Sequence, residues 1–348
     1  MHIGIFLEES SQGLGPGDAF DEAFQLVDAA EARGLDGVWL GQLHFTPDRS
    51  VLTASLVVAG AIAARTRRLV VGTAVEILPL HHPLRIAEEA ATVDHISKGR
   101  FVFGVGRSGA PRAYDVFGVA YEESQARFTE ALALILQAWK GERFSFDGEF
   151  YRVRDAAVSP RPYQRPHPPV RVAVTSDETF RTIGREGRPI FVGLRATDLA
   201  ELRDQLRAYR EAWKDAGHPG TGDVYLRIPV YAAETPAAAL EEPARSIEHY
   251  FKRQAELTRS AVGRAGAGPA ERRRFQADRL AALSYDEIVK SKVAFGTAEA
   301  LVDRLGSLRD DLGLAGIVVE LNPGGLIPRE RVHRSLGILA DEVASRLR

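Results

Sequence analysis

The sequence predicts an α/β protein folded as a single (β/α)8 (TIM) barrel, and three observations carry that expectation. Eight short apolar, β-branched segments recur along the 348 residues, at 3–7, 37–40, 69–75, 101–105, 170–174, 190–194, 224–231 and 317–321. They run nearly unbroken instead of alternating, as parallel strands buried on both faces do. Stretches of 3.6-residue periodicity separate them, among them Phe20, Phe24, Leu26, Val27 and Ala30, and later Leu199, Leu202, Leu206, Tyr209 and Trp213. No composition break or long linker divides the chain, so residues 1–348 read as one domain. A doubly wound sheet is the structural alternative.

Taken in order, segment 3–7 is the first strand, and a Gly-rich loop from Glu8 to Gly17 follows it. The second strand ends at Gly41-Gln42-Leu43-His44-Phe45. The third ends at Thr73-Ala74-Val75-Glu76 and runs into Leu78-Pro79-Leu80-His81-His82-Pro83. The fourth ends at Gly104-Val105-Gly106-Arg107-Ser108-Gly109, and the fifth at Thr175-Ser176-Asp177-Glu178-Thr179. Three segments exceed a minimal barrel. Residues 144–151 alternate around Asp147-Gly148, the signal of a β-hairpin excursion after the fourth helix. Residues 159–169 contain Pro160, Pro162, Pro166, Pro168 and Pro169, an extended surface approach to strand five. Residues 241–292 are too long for one connection and read as a helical insertion of two or three helices above the C-terminal face, before the last strand. Gly263, Gly266 and Gly268 could hinge it as a lid; the alternative is a mobile decoration.

Forty-five basic against 47 acidic side chains leave no concentrated basic field for nucleic acid or a membrane surface. No apolar run is long enough for a membrane span, and the N-terminal residues lack a signal-peptide layout, so a cytoplasmic location is expected. The chain has no cysteine, which removes disulfides, thiolate metal sites and a cysteine nucleophile.

In such a barrel, chemistry sits at the C-terminal ends of the strands. Gly104, Gly106 and Gly109 spell G-x-G-x-x-G, but 110–118 shows no helical stripe and the next helical pattern waits until about Glu122, so the dinucleotide fingerprint lacks its helix. Arg107 among those glycines suits a phosphate through charge-assisted hydrogen bonds, or else a salt bridge to a neighbouring loop. Ser176 stands at a helix N-cap. It is either a plain cap or, with Thr175 and Thr179, part of a phosphate seat at the helix's positive end. Strands four and five are neighbours, so Arg107 and that helix start converge. His44 follows strand two at the functional rim, as a structural histidine or a catalytic one. His81 and His82 are adjacent and diverge, which makes a poor metal pair, and no metal site is expected. Glu76 and Glu234 are candidate glycosidase carboxylates, but strand four ends in an arginine instead of an acid.

The run from Leu78 through His81-His82-Pro83 and Asp94 to Gly104-Val105-Gly106-Arg107 resembles the signature stretch of the bacterial luciferase-like flavin-dependent monooxygenases. The resemblance extends over the N-terminal strand, 32–40, 42–45, 159–164, Thr175-Ser176 and Gly296-Thr297-Ala298-Glu299. It implies a barrel, usually dimeric, with FMN across its C-terminal mouth. Arg107, Thr175, Ser176 and Thr179 would hold the FMN phosphate. Ala74, Val75 and Glu76 would lie at the cofactor, with a cis Ala74–Val75 peptide against the flavin ring. His44 would handle protons near the flavin C4a–N5 edge, as the catalytic residue. Arg85, Glu88, Asp94 and Arg100 look like scaffold residues. The implied reaction is two-component: a separate flavin reductase supplies reduced FMN, and O2 adds through a C4a-peroxyflavin to oxygenate a small organic substrate. A deazaflavin (F420)-dependent hydride-transfer dehydrogenase is the alternative within the fold, and a non-catalytic flavin-binding protein the alternative outside enzymes. Many relatives carry Gly-Tyr after the arginine where this chain has Ser108-Gly109. Some carry an acid where Thr175 stands. Asp177 and Glu178 should turn their carboxylates away from a phosphate.

Overall fold

The computed structural model describes residues 1–8, 15–195, 197–262 and 267–348. Eight parallel strands close on themselves: β1 His2–Leu7, β2 Gly37–Leu40, β3 Val70–Thr73, β4 Phe101–Gly106, β5 Val170–Ala173, β6 Ile190–Gly193, β7 Val224–Ala232 and β8 Gly316–Glu320. Each pairs with the next in sequence, and β8 closes on β1 with Ile3 opposite Ile317 and Phe6 opposite Glu320. All eight correspond to the apolar segments of the sequence. Around them lie α1 Pro16–Ala32, α2 Ser55–Arg65, α3 Pro83–Ile96, α4 Ser124–Ala138, α5 Asp177–Arg185, α6 Leu199–Asp215, α7 Ala298–Leu312 and α8 Arg329–Ile338. The strands look apolar throughout because both faces are buried, one face under these helices and the other inside the barrel.

The barrel interior is sealed at its N-terminal end. Trp39 meets Phe191 and Tyr225 edge-on, and His2 stacks on Tyr225 at 5.0 Å. The Arg171 guanidinium lies 3.6 Å from the Tyr225 ring centroid and donates to the carbonyls of Ile190 and Asp223. Higher up, Phe6, Ala74, Val75, Ala173 and Val318 continue the column toward the mouth. The polar chemistry is therefore confined to the C-terminal end.

The scaffold reading of the third helix is visible in its contacts. Asp94 is fully buried and accepts from the Gln164 backbone (2.9 Å) and side-chain amides (2.7 Å), while Gln164 also donates to Phe101. One carboxylate thus ties the proline-rich approach to α3 and β4. Arg100 donates to carbonyls of Ala63, Thr66, Leu69 and Ser97, locking α2 to the base of β4.

Several expectations need adjusting. A short helix, Pro111–Phe117, does start just after the glycines of β4, nucleated by proline at its first position and stopped at left-handed Gly118. It buries Tyr114 instead of presenting a hydrophobic stripe, which is why the pattern missed it. The hairpin forms from Phe144–Asp147 and Arg152–Ala156, but its turn is wider than Asp-Gly. The Glu130 carboxylate accepts from the amides of Glu149, Phe150 and Tyr151 and holds the turn open. The insertion, by contrast, contains three helices as expected, Ala244–Ser260, Ala267–Ala281 and Tyr285–Ser291, preceded by a short helix Pro236–Glu241 and followed by a short strand Ala294–Gly296 that pairs with the end of β7. Residues 9–14 of the Gly-rich loop, and the proposed hinge glycines Gly263 and Gly266, lie outside the described residues.

The tightest backbone approach is between the end of β3 and β4. A Cβ on Gly104 would stand 1.8 Å from the Thr73 carbonyl oxygen and 2.9 Å from the Phe191 ring, while the Thr73 hydroxyl donates to the Gly104 carbonyl at 2.6 Å. Backbone cannot yield as a side-chain tip can. Gly104→Ala should lower stability by at least the roughly 1–3 kcal/mol typical of overpacking. Gly109→Ala, with nothing within 4 Å, should melt like the parent. Thermal unfolding followed by circular dichroism checks both; equal melting of the two variants would refute the close-approach argument.

Candidate functional site

A cavity of about 890 Å³ opens over the barrel mouth. Its wall includes Ala74, Val75, Arg107, Thr175, Ser176 and Thr179, so six of the eight sequence-predicted site residues meet in one space. The insertion roofs it through Gln254, Thr258, Arg273 and Gln276, among others.

Arg107 ends β4. Its Nη1 donates to Ser124 Oγ at 3.0 Å, and its backbone carbonyl accepts from the Tyr114 hydroxyl. Among the described residues it has no carboxylate partner, so the salt-bridge reading finds no support. Ser176 occupies the N-cap of α5 but accepts nothing from the helix's own amides; its hydroxyl pairs with that of Thr179 at 2.7 Å. The first amides of α5 are thus left without that cap, at the positive end of the helix dipole. Asp177 accepts from Gln205 at 2.8 Å, which draws its carboxylate toward α6, whereas Glu178, although exposed, lines the cavity together with Thr175, Ser176 and Thr179. A guanidinium without a counter-charge, two hydroxyls and an uncapped helix start form a donor set that fits a phosphate.

The Ala74–Val75 peptide is cis, as the resemblance implied. A Cβ on Gly106 would meet Val75 Cγ2 at 2.5 Å, so that glycine gives Val75 its place in the wall. Such a wall suits the flat face of a flavin ring.

Two predicted residues stand elsewhere. Glu76 does not line the cavity. It is buried beneath the wall, accepting from Ser55 Oγ and, at 3.2 Å, from Gln42 Nε2. Burial lifts its carboxyl to about 7 against the opposing pull of those two bonds. Gln42 does reach the cavity, and its Oε1 accepts from the Ile77 amide at 2.6 Å. Glu76 therefore supports the wall through Gln42 and does not touch a ligand. The residues following the cis peptide place it there: β3 turns inward and carries the next side chain under the surface.

His44 also lies beside the cavity. Its ring packs edge-on against Phe117 at 5.0 Å and near Phe45 and His81. Its Nε2 is buried without a hydrogen-bond partner, and burial with the neighbouring His81 pushes its pKa down to about 4. At neutral pH it is an uncharged imidazole. His81 is likewise depressed by burial, and its Nε2 sits 3.5 Å from Glu76. Glu234 is exposed and shares Arg334 with Glu242, outside the cavity lining.

Sequence reasoning missed the opposite side of the rim. Arg227 of β7 donates twice to Glu320 at 2.8 Å, Glu8 bridges Arg227 (3.4 Å) and Arg49 (2.5 Å), and the Arg227 guanidinium covers the Phe6 ring at 3.4 Å. An arginine inside the otherwise apolar segment 224–231 was the available signal. Among the described residues no cluster of His, Asp and Glu could hold a metal, and no helix is long and apolar enough to cross a membrane.

Compared with known proteins, residues 1–315 match the family model described as luciferase-like monooxygenase. An uncharacterised protein of Sinorhizobium fredii is 29% identical over 216 residues, 62% of this chain and 63% of the relative. An F420-dependent glucose-6-phosphate dehydrogenase of Kineococcus radiotolerans is 35% identical over 241 residues, 67% and 69% of the two chains. The oxygenating constituent of 3,6-diketocamphane monooxygenase from Pseudomonas putida, solved with FMN, has a TM-score of 0.81 at 19% identity, covering 100% and 99%, a likeness of fold. The chain spans a little under two thirds of the length of the Sinorhizobium relative it matches.

The buried Glu76 yields a pH test. Its folded-state pKa is raised, so its contribution to stability is present below the unfolded value and is lost as pH rises toward about 7. Glu76→Gln keeps an acceptor for Gln42 and a partner for Ser55 without titrating. Its stability relative to the parent should therefore grow between pH 5 and 7.5, by up to about 3 kcal/mol. Denaturant midpoints across that range check it; a pH-independent difference would show that Glu76 ionises normally.

Proposed function

Because the chain belongs to the luciferase-like monooxygenase family, we propose that it is the oxygenase component of a two-component system. In this reading FMN, reduced by a separate enzyme, binds across the barrel mouth, and a small organic substrate is oxygenated with O2. The observation that carries it is the meeting of Arg107 with the uncapped start of α5 in one cavity. That donor set fits a terminal phosphate, and Arg107 has no carboxylate partner among the described residues, although Glu178 lines the same cavity. A solved neighbour in complex with FMN supports a flavin in this fold.

Arg107, Ser176 and Thr179, with the exposed Thr175, would grip the phosphate, and the Ala74–Val75 wall would face the ring. When bound, the flavin supplies the electrons for reaction with dioxygen. The residues supply the surroundings. Aromatic and aliphatic side chains at the barrel mouth (Phe6, Phe191, Val318) keep water from the floor, and the insertion covers the top. His44, with its pKa pushed down to about 4, would be an uncharged imidazole beside the cavity, a weaker base than an ordinary histidine, with its Nε2 free of a hydrogen-bond partner. The identity to an F420-dependent dehydrogenase favours a second reading, a deazaflavin-dependent hydride transfer in the same cavity.

The test is equilibrium binding by Arg107→Ala. FMN affinity should fall about tenfold or more, the scale of a lost charge-assisted hydrogen bond, while riboflavin, which lacks the phosphate, should bind parent and variant equally. Unchanged FMN affinity in a folded variant would refute the phosphate seat. A parent chain that binds reduced F420 and ignores FMN would select the dehydrogenase reading.

A further inference from the structure

The rim opposite the phosphate seat holds three guanidiniums, of Arg49, Arg195 and Arg227, against two carboxylates, of Glu8 and Glu320, among the described residues. Two of the arginines are fully engaged. Arg49 sits on Glu8, and Arg227 forms a fork with Glu320 while also reaching Glu8. All four of these side chains are mostly shielded from solvent, and Arg49 and Arg227 together hold the Glu8 carboxyl below its usual range although burial works the other way. Arg195, in the loop after β6, is different. Its one hydrogen bond among the described residues is a long contact, 3.4 Å, to the Tyr250 hydroxyl of the insertion helix Ala244–Ser260. It nevertheless lines the same cavity, next to Phe191, Val192 and Leu257.

Arg195 also acts electrostatically on Glu8, but that carboxylate already holds Arg49 and Arg227, so three guanidiniums share two carboxylates and Arg195 is under-compensated. Its planar fork matches a carboxylate better than it matches a hydroxyl. Glu8 and Glu320 hydrogen-bond to Arg49 and Arg227 and form no hydrogen bond to Arg195 among the described residues. The other guanidiniums that line the cavity are Arg107 at the end of strand four, Arg188, which pairs with Glu186 at 3.0 Å, and Arg273 of the insertion, which donates to the Ala261 carbonyl and the Tyr121 hydroxyl.

We propose that Arg195, backed by Tyr250, is the anion-recognising residue of the substrate pocket, and that the substrate is a small organic molecule carrying a carboxylate. This rests on reading the mouth as a shared cofactor and substrate cavity. The carboxylate seats on Arg195 and the apolar part lies over Phe6, Phe191 and Val318. Arg107 serves the cofactor phosphate alone, so the two anions are held by different strands and do not compete.

The experiment is calorimetric titration of the full chain with small, medium and large aromatic and alicyclic carboxylates, each beside its neutral carboxamide. FMN binding is measured on the same preparations. At least one carboxylate should bind about tenfold or more tighter than its carboxamide, Arg195→Met should erase that preference, and Arg195→Lys should restore part of it. FMN affinity should be unchanged in both variants, which also reports that they are folded. No preference for any carboxylate in the parent, or an equal preference in Arg195→Met, overturns the proposal. So does loss of FMN binding on Arg195→Met, which would move Arg195 into the cofactor seat. A parent chain that prefers carboxylates but does not bind FMN supports the anion site and strikes only the flavin reading.

Discussion

The missing side chains at Gly104 and Gly106 are the constraint on which the mouth of this barrel depends. Gly104 lets the Thr73 carbonyl come within a distance no Cβ could share, and Gly106 leaves room for Val75. The end of β3 can therefore lean across β4 and set the Ala74–Val75 peptide into the cavity wall. Everything that follows on β3 is placed by this lean. Glu76 is turned under the wall, where Ser55 and Gln42 satisfy it, and Gln42 in turn holds the Ile77 amide and reaches the cavity. The same strand end that makes room for the wall carries Arg107 to the rim.

Above that floor the charges are divided between two sides. On strands four and five, Arg107, which has no carboxylate partner among the described residues, and the uncapped start of α5 offer donors, with Glu178 at their side. On the other side, Arg227 of strand seven and Arg49 in the connection after strand two are braced by Glu320 and Glu8, with the Arg195 guanidinium left over. Between them the surface is apolar. A cavity built in this way favours a ligand set that is anionic at both ends and flat and apolar in the middle, and it keeps water from the centre once the insertion covers it.

The barrel was legible because burial on both faces leaves unbroken apolar strands, and 3.6-residue stripes mark the helices between them. Arg107, Thr175, Ser176 and Thr179 were legible because strand ends in such a barrel must converge. The short helix at Pro111 was not, since it buries a single tyrosine and shows no stripe. Glu76 and His44 do not line the cavity directly. Position along a strand end says which rim a residue reaches, whereas the local turn decides whether its side chain faces the cavity or the packing behind it. The Glu8–Arg227–Glu320 network was missed for a related reason: its members lie far apart in sequence, and only the closure of β8 onto β1 and β7 brings them together. Residues 9–14 and the hinge glycines Gly263 and Gly266 lie outside the described residues, so the hinge reading of the lid rests on sequence alone.

The most direct test of the account is a crystal structure of the chain with FMN bound. The account expects the phosphate on the Arg107 guanidinium and the first amides of α5, the ring against Val75, and Arg195 free of the cofactor. A phosphate held by Arg195 or Arg227, with Arg107 still turned to Ser124 alone, would contradict it.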